Sequence, residues 1–173
     1  IALGVNDLFW VEGTEMGSLD DIDVNDYNNN KETVVGFYAR ILQRYQQMQP
    51  DAKFFLVAMP RIYNENEKLS EEQQKRNEKR KAWPQILKGM AKMFKNVFVI
   101  DLYENAPVFD GEFYKFFGLG GHLNPMGYYL MGKIISTYID WIIRKYPNEF
   151  KTAGFIGTQY KNDRVKTIDS EVK

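Results

Sequence analysis

The sequence predicts an α/β fold in which helices pack on a parallel sheet. Two short apolar runs, residues 54–59 and 97–101, have the length and hydrophobicity of strands that are covered on both faces. Stretches whose apolar residues recur with helical spacing lie between these runs and after them. Because strands that alternate with helices build a parallel sheet, we expect ligands at the carboxyl ends of the strands.

The first part of the chain is predicted as a strand end, a loop, a helix and a strand. Residues 1–4 are apolar and indicate the end of a buried strand, whereas residues 12–30 are rich in Gly, Asp and Asn, which is typical of a surface loop. Apolar residues then recur every three or four positions over 31–48 and predict a helix that Pro50 ends. They are Val34, Tyr38, Ile41, Tyr45 and Met48. Residues 54–59 form the next predicted strand.

A long, strongly polar helix is predicted after this strand. Ser70 followed by Gln73 indicates a capping box at its start, and the charged run 71–81 is typical of a solvated helical face. Pro84 is expected to kink or restart the helix. Residues 97–101 are then the next buried strand.

The last predicted helix follows a glycine-rich segment. Asn124 and Pro125 fit its N-cap and its first position, and we expect it to end near Pro147. No internal repeat or second domain is visible. We therefore predict one domain over residues 1–147 and a tail, 148–173, that packs partly on it.

The composition excludes several classes of protein. The 23 basic and 23 acidic residues cancel, so no net charge favours nucleic acid or an anionic membrane, and no apolar run reaches the length of a membrane span. The absence of cysteine excludes disulfides and thiolate metal sites. Gly118, Gly120 and Gly121 lack the pattern of a phosphate-binding loop. We expect no cofactor, no metal site, no nucleic-acid partner and no membrane partner.

Two motifs are predicted to share one edge of the sheet. Residues 4–7 have the pattern G-x-N-D directly after the first predicted strand, and His122, the only histidine, precedes the last helix. Taken alone, the first motif is explained by an Asx-turn that ends a strand. A lone histidine in a glycine-rich loop is explained by a helix cap or a backbone hydrogen bond. Their order, each beyond a predicted strand, favours a functional site.

This arrangement resembles the SGNH hydrolases, also called the GDSL-like lipase and esterase family, over residues 1 to about 146. The resemblance implies a three-layer flavodoxin-like sandwich with a parallel sheet. It implies that the amide of Asn6 stabilises the oxyanion formed when an ester is attacked, and that His122 is the general base for a serine. Gly4 would provide the close turn before Asn6, and Asp7 would support the loop.

Two parts of the family's pattern are not found in this chain. None of its four serines follows a predicted strand, so the resemblance places the nucleophile, with two strands of the sheet, on an N-terminal segment outside residues 1–173. The aspartate that the family has three positions before its histidine is Leu119 here. Asp110 and Glu112 are the nearest upstream carboxylates and are our candidates for an acid that orients His122.

Two functions follow as hypotheses. The first is a serine esterase of the SGNH type that hydrolyses a small ester, for example an acetyl group on a carbohydrate, with the serine supplied by the N-terminal segment. The second is a non-catalytic relative that binds a glycan or a protein in the same cleft, which Leu119 favours. The resemblance favours a periplasmic or secreted location. Because a sheet edge would be uncovered, we expect residues 1–173 alone to be unstable or to associate with another chain.

Overall fold

The two apolar runs pair as parallel strands in the computed structural model, which describes residues 1–11, 13–64 and 66–150. Strand β1, Phe54–Ala58, lies beside β2, Val97–Asp101, in a register that aligns Leu56 with Val99. Together with the helices between and around them, the strands give a mixed helix and strand fold with a small parallel sheet. This is compatible with the predicted α/β class.

The strand predicted at residues 1–4 is not formed beyond its first residue. The amino group of Ile1 donates to the carbonyl of Phe55 at 2.6 Å, and the backbone N–H of Val57 donates to the carbonyl of Ile1 at 2.9 Å. These two bonds have the pattern of a parallel ladder. The chain then turns at Gly4, which has a φ of 94°, into the short helix α1, Val5–Phe9. The G-x-N-D motif therefore opens a helix.

The next helix begins close to its predicted start but buries a different face. Helix α2 spans Val34–Met48, and the Thr33 hydroxyl caps it by accepting from the backbone N–H of Gly36 at 3.1 Å. The first two residues of the predicted stripe are buried, whereas its last three are exposed, because the chain packs on the other side of the helix there. The buried apolar residues of α2 are Val34, Val35, Tyr38, Ala39 and Leu42.

Helix α3, Glu71–Met93, confirms the predicted capping box and continues through its proline. The Ser70 hydroxyl accepts from the backbone N–H of Gln73 at 3.3 Å, and the Gln73 side chain accepts from that of Ser70 at 2.9 Å. The helix does not restart at Pro84, so that alternative of the prediction was wrong, whereas a kink at Pro84 stays a prediction. Its missing N–H removes one helical bond, but Pro84 and its neighbour Trp83 are buried, and this packing holds the helix together.

The chain from β2 onward forms short elements and then one long helix. These elements are α4, Leu102–Asn105; α5, Gly111–Phe117; the hairpin of β3, Gly118–Leu119, and β4, His122–Leu123; and α6, Pro125–Lys145. The predicted cap of α6 is confirmed, because the Asn124 side chain accepts from the backbone N–H of Gly127 at 2.9 Å. The helix ends two residues before Pro147, as expected.

The described residues belong to two compact units that divide after Ile134. In the first unit, the core lies between α2, α3 and the sheet, and Tyr38 meets Trp83 edge to face with ring centroids 5.4 Å apart. In the second, Arg144 pairs with Asp140 at 2.8 Å. The predicted tail lies outside the described residues from position 151 onward, so its packing stays a prediction.

The polar segment before α2 is an ordered loop built around a buried carboxylate. The Asp21 carboxylate accepts from the backbone N–H of Ser18 at 2.9 Å, from the Thr33 hydroxyl at 3.0 Å and from the Lys31 ammonium at 3.0 Å. These hydrogen bonds, with that of Ser18 the most important, lower the pKa of Asp21. The loop is thereby tied to the start of α2.

Candidate functional site

A cavity of about 770 Å³ lies in the first unit beside both predicted motifs. Its walls come from the beginning and end of α1, from the start of α5, and from the hairpin turn that leads into β4. The lining residues are Val5, Trp10, Ile62, Arg80, Phe109, Gly111, Tyr114, Gly118, Leu119, Gly120 and Gly121. The cavity is therefore lined by one residue of the G-x-N-D motif, Val5, and by the segment just before His122.

Three cationic side chains of α3 hold α1 in place at this cavity. The Lys79 ammonium donates to the carbonyl of Leu8 at 3.2 Å, near the end of α1 where the helix dipole is negative. The guanidinium carbon of Arg76 lies 4.3 Å from the ring centroid of Trp10, and that of Arg80 lies 4.5 Å from the ring of Phe9. A helix of five residues has little stability of its own, so these contacts position the motif.

The G-x-N-D residues lie in the first turn of α1. Gly4 is buried, and a Cβ there would touch Leu8, Trp83 and Val34, so the turn is packed as well as left-handed. Asn6 and Asp7 are exposed to solvent. Asn6 follows the lining residue Val5 in the chain but is not itself among the residues that line the cavity.

His122 lies in a tight hairpin directly after the cavity wall. Gly120 and Gly121 have φ values of 57° and 82°, which are the two left-handed conformations that a two-residue turn between strands requires. This turn explains the glycine pair without a bound phosphate. His122 is aligned with Leu119 across the hairpin, and both residues are exposed. Within residues 1–11, 13–64 and 66–150, no side-chain hydrogen bond or ion pair of His122 is found.

The hairpin and α6 are joined by Asn124. Besides capping α6, its side-chain amide donates to the carbonyl of Phe116 at 2.8 Å, and its backbone N–H donates to that of Phe117 at 2.7 Å. These two bonds attach the end of the hairpin to the C-terminus of α5. His122 is therefore held two residues before an anchored position, on a turn whose backbone is fixed.

The two candidate acids have partners other than the histidine. Asp110 caps α5 by accepting from the backbone N–H of Phe113 at 2.9 Å, and it also accepts from the Asn64 amide at 2.6 Å. These bonds lower the pKa of Asp110. Glu112 forms an ion pair with Lys115. In the part of the chain that the structure describes, neither carboxylate contacts His122.

Arg80 is a site residue that was not predicted from the sequence. The run 71–81 was interpreted as a solvated face, yet Arg80 is only 9% exposed and lines the cavity. A signal was present, because Arg80 continues the spacing of three and four residues that the buried Trp83, Leu87 and Met90 follow. A charged residue in register with a buried stripe indicates a cation that faces the interior.

Comparisons with known proteins add no relative to this picture. No family model, curated protein or solved structure matches the chain. None of the described helices has the length and apolar character needed to cross a membrane. The resemblance to the SGNH hydrolases therefore depends on the motif residues themselves.

Proposed function

We propose that this chain carries the histidine and one oxyanion donor of an SGNH-type serine esterase. The observation that supports the proposal is the cavity, since Val5, which precedes Asn6, and residues 118–121, which precede His122, line the same space. Two segments more than a hundred positions apart thus flank one space of about 770 Å³, which is large enough for a small ester.

The proposed chemistry divides the reaction between this chain and a segment outside residues 1–173. A serine of that segment attacks the ester carbonyl, and His122 takes the serine proton and returns it to the leaving alcohol. The amide of Asn6 donates a hydrogen bond to the oxyanion. Water then releases the acyl group, for which an acetyl group of a carbohydrate is our candidate. The serines at 18 and 70 are helix caps, so they are not our candidates.

The finer architecture belongs to the same proposal. We infer a three-layer flavodoxin-like sandwich in which further strands adjoin the Ile1 side of β1. The ladder-type bonds of Ile1 to β1 support this arrangement, because they place residue 1, β1 and β2 side by side in parallel. In this arrangement Asn6 comes after the carboxyl end of the strand to which Ile1 belongs. Ligand-binding residues occupy such positions in open parallel sheets.

A non-catalytic relative that binds a glycan or a protein is the second candidate. Leu119 stands where the family has its orienting acid, and it is aligned with His122 across the hairpin. A histidine without an orienting carboxylate is a poor base, and changing that acid costs about 10⁴-fold in turnover in triad enzymes. In this second candidate function, the protein binds its ligand in the cavity and does not hydrolyse it.

The deciding experiment uses the chain together with the sequence that the proposal places before Ile1. We expect a fluorophosphonate probe to label a serine of that added segment, and we expect p-nitrophenyl acetate to be hydrolysed. His122→Ala should abolish both, and Asn6→Ala should lower turnover about 10²- to 10³-fold. Asn25→Ala, which changes an exposed asparagine of the loop, is the matched control. No labelling of a correctly folded chain would favour the non-catalytic candidate.

A further inference from the structure

Arg80 is a buried cation of the cavity that has no carboxylate partner within the part of the chain that the structure describes. Arg80 is 9% exposed, and its guanidinium donates to the carbonyl of Pro60 at 3.0 Å. Its Nε is buried, and residues 1–11, 13–64 and 66–150 provide no hydrogen-bond acceptor for it. Among the described residues, no Asp or Glu forms an ion pair with it. Burial lowers the pKa of Arg80.

Arg80 differs from another buried charged residue of the same unit, Asp101, which has an ion-pair partner. Asp101 at the end of β2 is 2% exposed, and it is paired with the Lys88 ammonium at 2.6 Å. A buried charge is costly unless it is paired, so the fold supplies a counter-ion to Asp101. Arg80 is also buried, at 9% exposed, but it lines the cavity and has no such counter-ion among the described residues.

The other walls of the cavity suit a ligand with a flat apolar face. The aromatic residues Trp10 and Tyr114 line it together with Arg80. Trp10 is 66% exposed, and the contact of Arg76 on its ring helps to hold the indole in place. Pockets of this kind bind through apolar walls, while a few polar groups fix the orientation of the ligand.

We propose that the cavity binds a carboxylate-bearing sugar, with the guanidinium of Arg80 paired to the carboxylate and the sugar ring lying against Trp10 and Tyr114. A planar guanidinium matches a carboxylate with two parallel hydrogen bonds. The carboxylate follows from Arg80 and the cavity, whereas the choice of a sugar rests on the proposed function. Binding itself requires no hydrolysis.

Titration calorimetry with sodium glucuronate tests this assignment, with glucose as the neutral ligand and inorganic phosphate as the simple anion. We expect glucuronate to bind more tightly than both. Arg80→Gln should weaken glucuronate binding about 10- to 100-fold and leave glucose unaffected. Lys81→Gln is the control, because it removes the same charge from the adjacent, exposed position of α3.

Several results would overturn the assignment. They are equal binding of glucuronate and glucose, tighter binding of phosphate, or unchanged glucuronate binding in a folded Arg80→Gln chain. If Arg80→Gln does not fold, two other measurements decide. They are the preference of the wild-type chain for glucuronate over glucose and phosphate, and the binding of glucuronate by Arg80→Lys. Lysine keeps the charge and loses the two-pronged geometry. Failure here together with fluorophosphonate labelling would leave the esterase proposal standing, and the reverse result would leave only the binding site.

Discussion

Gly17 occupies a place in the loop before α2 that only glycine fits. Its φ is 77°, and an added Cβ would fall inside contact distance of the Asp21 carboxylate and the Thr33 hydroxyl. We expect Gly17→Ala to destabilise the first unit by about 2–4 kcal/mol, which combines left-handed strain with overpacking. The free energy of unfolding from urea denaturation measures this cost.

Gly13 provides the matched control for that substitution. Its φ of 76° is nearly the same, but an added Cβ would meet nothing within 4 Å. Gly13→Ala should therefore cost only the strain, about 1–2 kcal/mol. Equal losses for the two variants would show that the space around Gly17 is not tightly packed.

Asp21 should make the stability of the first unit sensitive to acid. Its pKa in the folded chain is lowered, while an unfolded aspartate has a pKa of about 3.9. The stabilisation is therefore present above that value and is lost as the pH falls through the lower, folded pKa. We expect Asp21→Asn to lose less stability between neutral pH and pH of about 2 than Asp20→Asn, which changes an exposed neighbour. Identical pH profiles in chemical denaturation would contradict this.

Single residues could be predicted from the sequence where their partners are close in the chain. The caps at Ser70 and Asn124 are local, since each side chain bonds a backbone N–H three positions away. The role of Asp21 was missed, because its partners include residues ten and twelve positions later. Arg80 was missed for a similar reason, since its burial depends on α1 and on the segment after β1.

The capping box at Ser70 stabilises the start of α3, the helix that carries Arg80. The capping box at Ser70 satisfies backbone groups at an exposed helix start. We expect Ser70→Ala to lower the free energy of unfolding by about 1 kcal/mol, whereas Ser70→Thr retains the hydroxyl and most of the stability. Amide hydrogen exchange in the first turn of α3 should accelerate in the alanine variant. Unchanged exchange there would show that tertiary contacts alone fix the helix start.

The elements that could not be predicted are the short ones. Helix α1 has five residues and follows an apolar stub, so it shows no helical period, and its tertiary contacts, including those with α3, stabilise it. The hairpin before α6 has two residues in each strand. Long elements with a clear period were predicted within a few residues of their ends. The predicted face of α2 failed at its C-terminal half because exposure there depends on distant packing.

The stability of the first unit depends on the core that joins the sheet to α2 and α3. Leu56 in the middle of β1 is completely buried in this core. We expect Leu56→Ala to lower the free energy of unfolding by about 2–5 kcal/mol through a lost side chain and a new cavity. Leu3→Ala, at a position that is 49% exposed, should cost much less. Similar midpoints in urea for both variants would contradict the proposed core.

The predicted positions of the two motifs depended on the order and connection of the strands. Parallel strands with helical crossovers bring their carboxyl ends to one edge, and this reasoning put Asn6 and His122 on the same side of the sheet. The structure brings their neighbours to one cavity. The side-chain arrangement could not be predicted, because it depends on a five-residue helix and a glycine turn.

The three tryptophans differ in exposure, so the intrinsic fluorescence of the chain can report on the cavity. Trp83 is completely buried, Trp10 lies at the cavity, and Trp141 is about half exposed. Replacing Trp141 with phenylalanine would leave one indole shielded from an external quencher and one open to it. The quenchable emission would then come from the cavity wall. Binding of a ligand in the cavity could then be followed by tryptophan fluorescence, with no label attached to the protein.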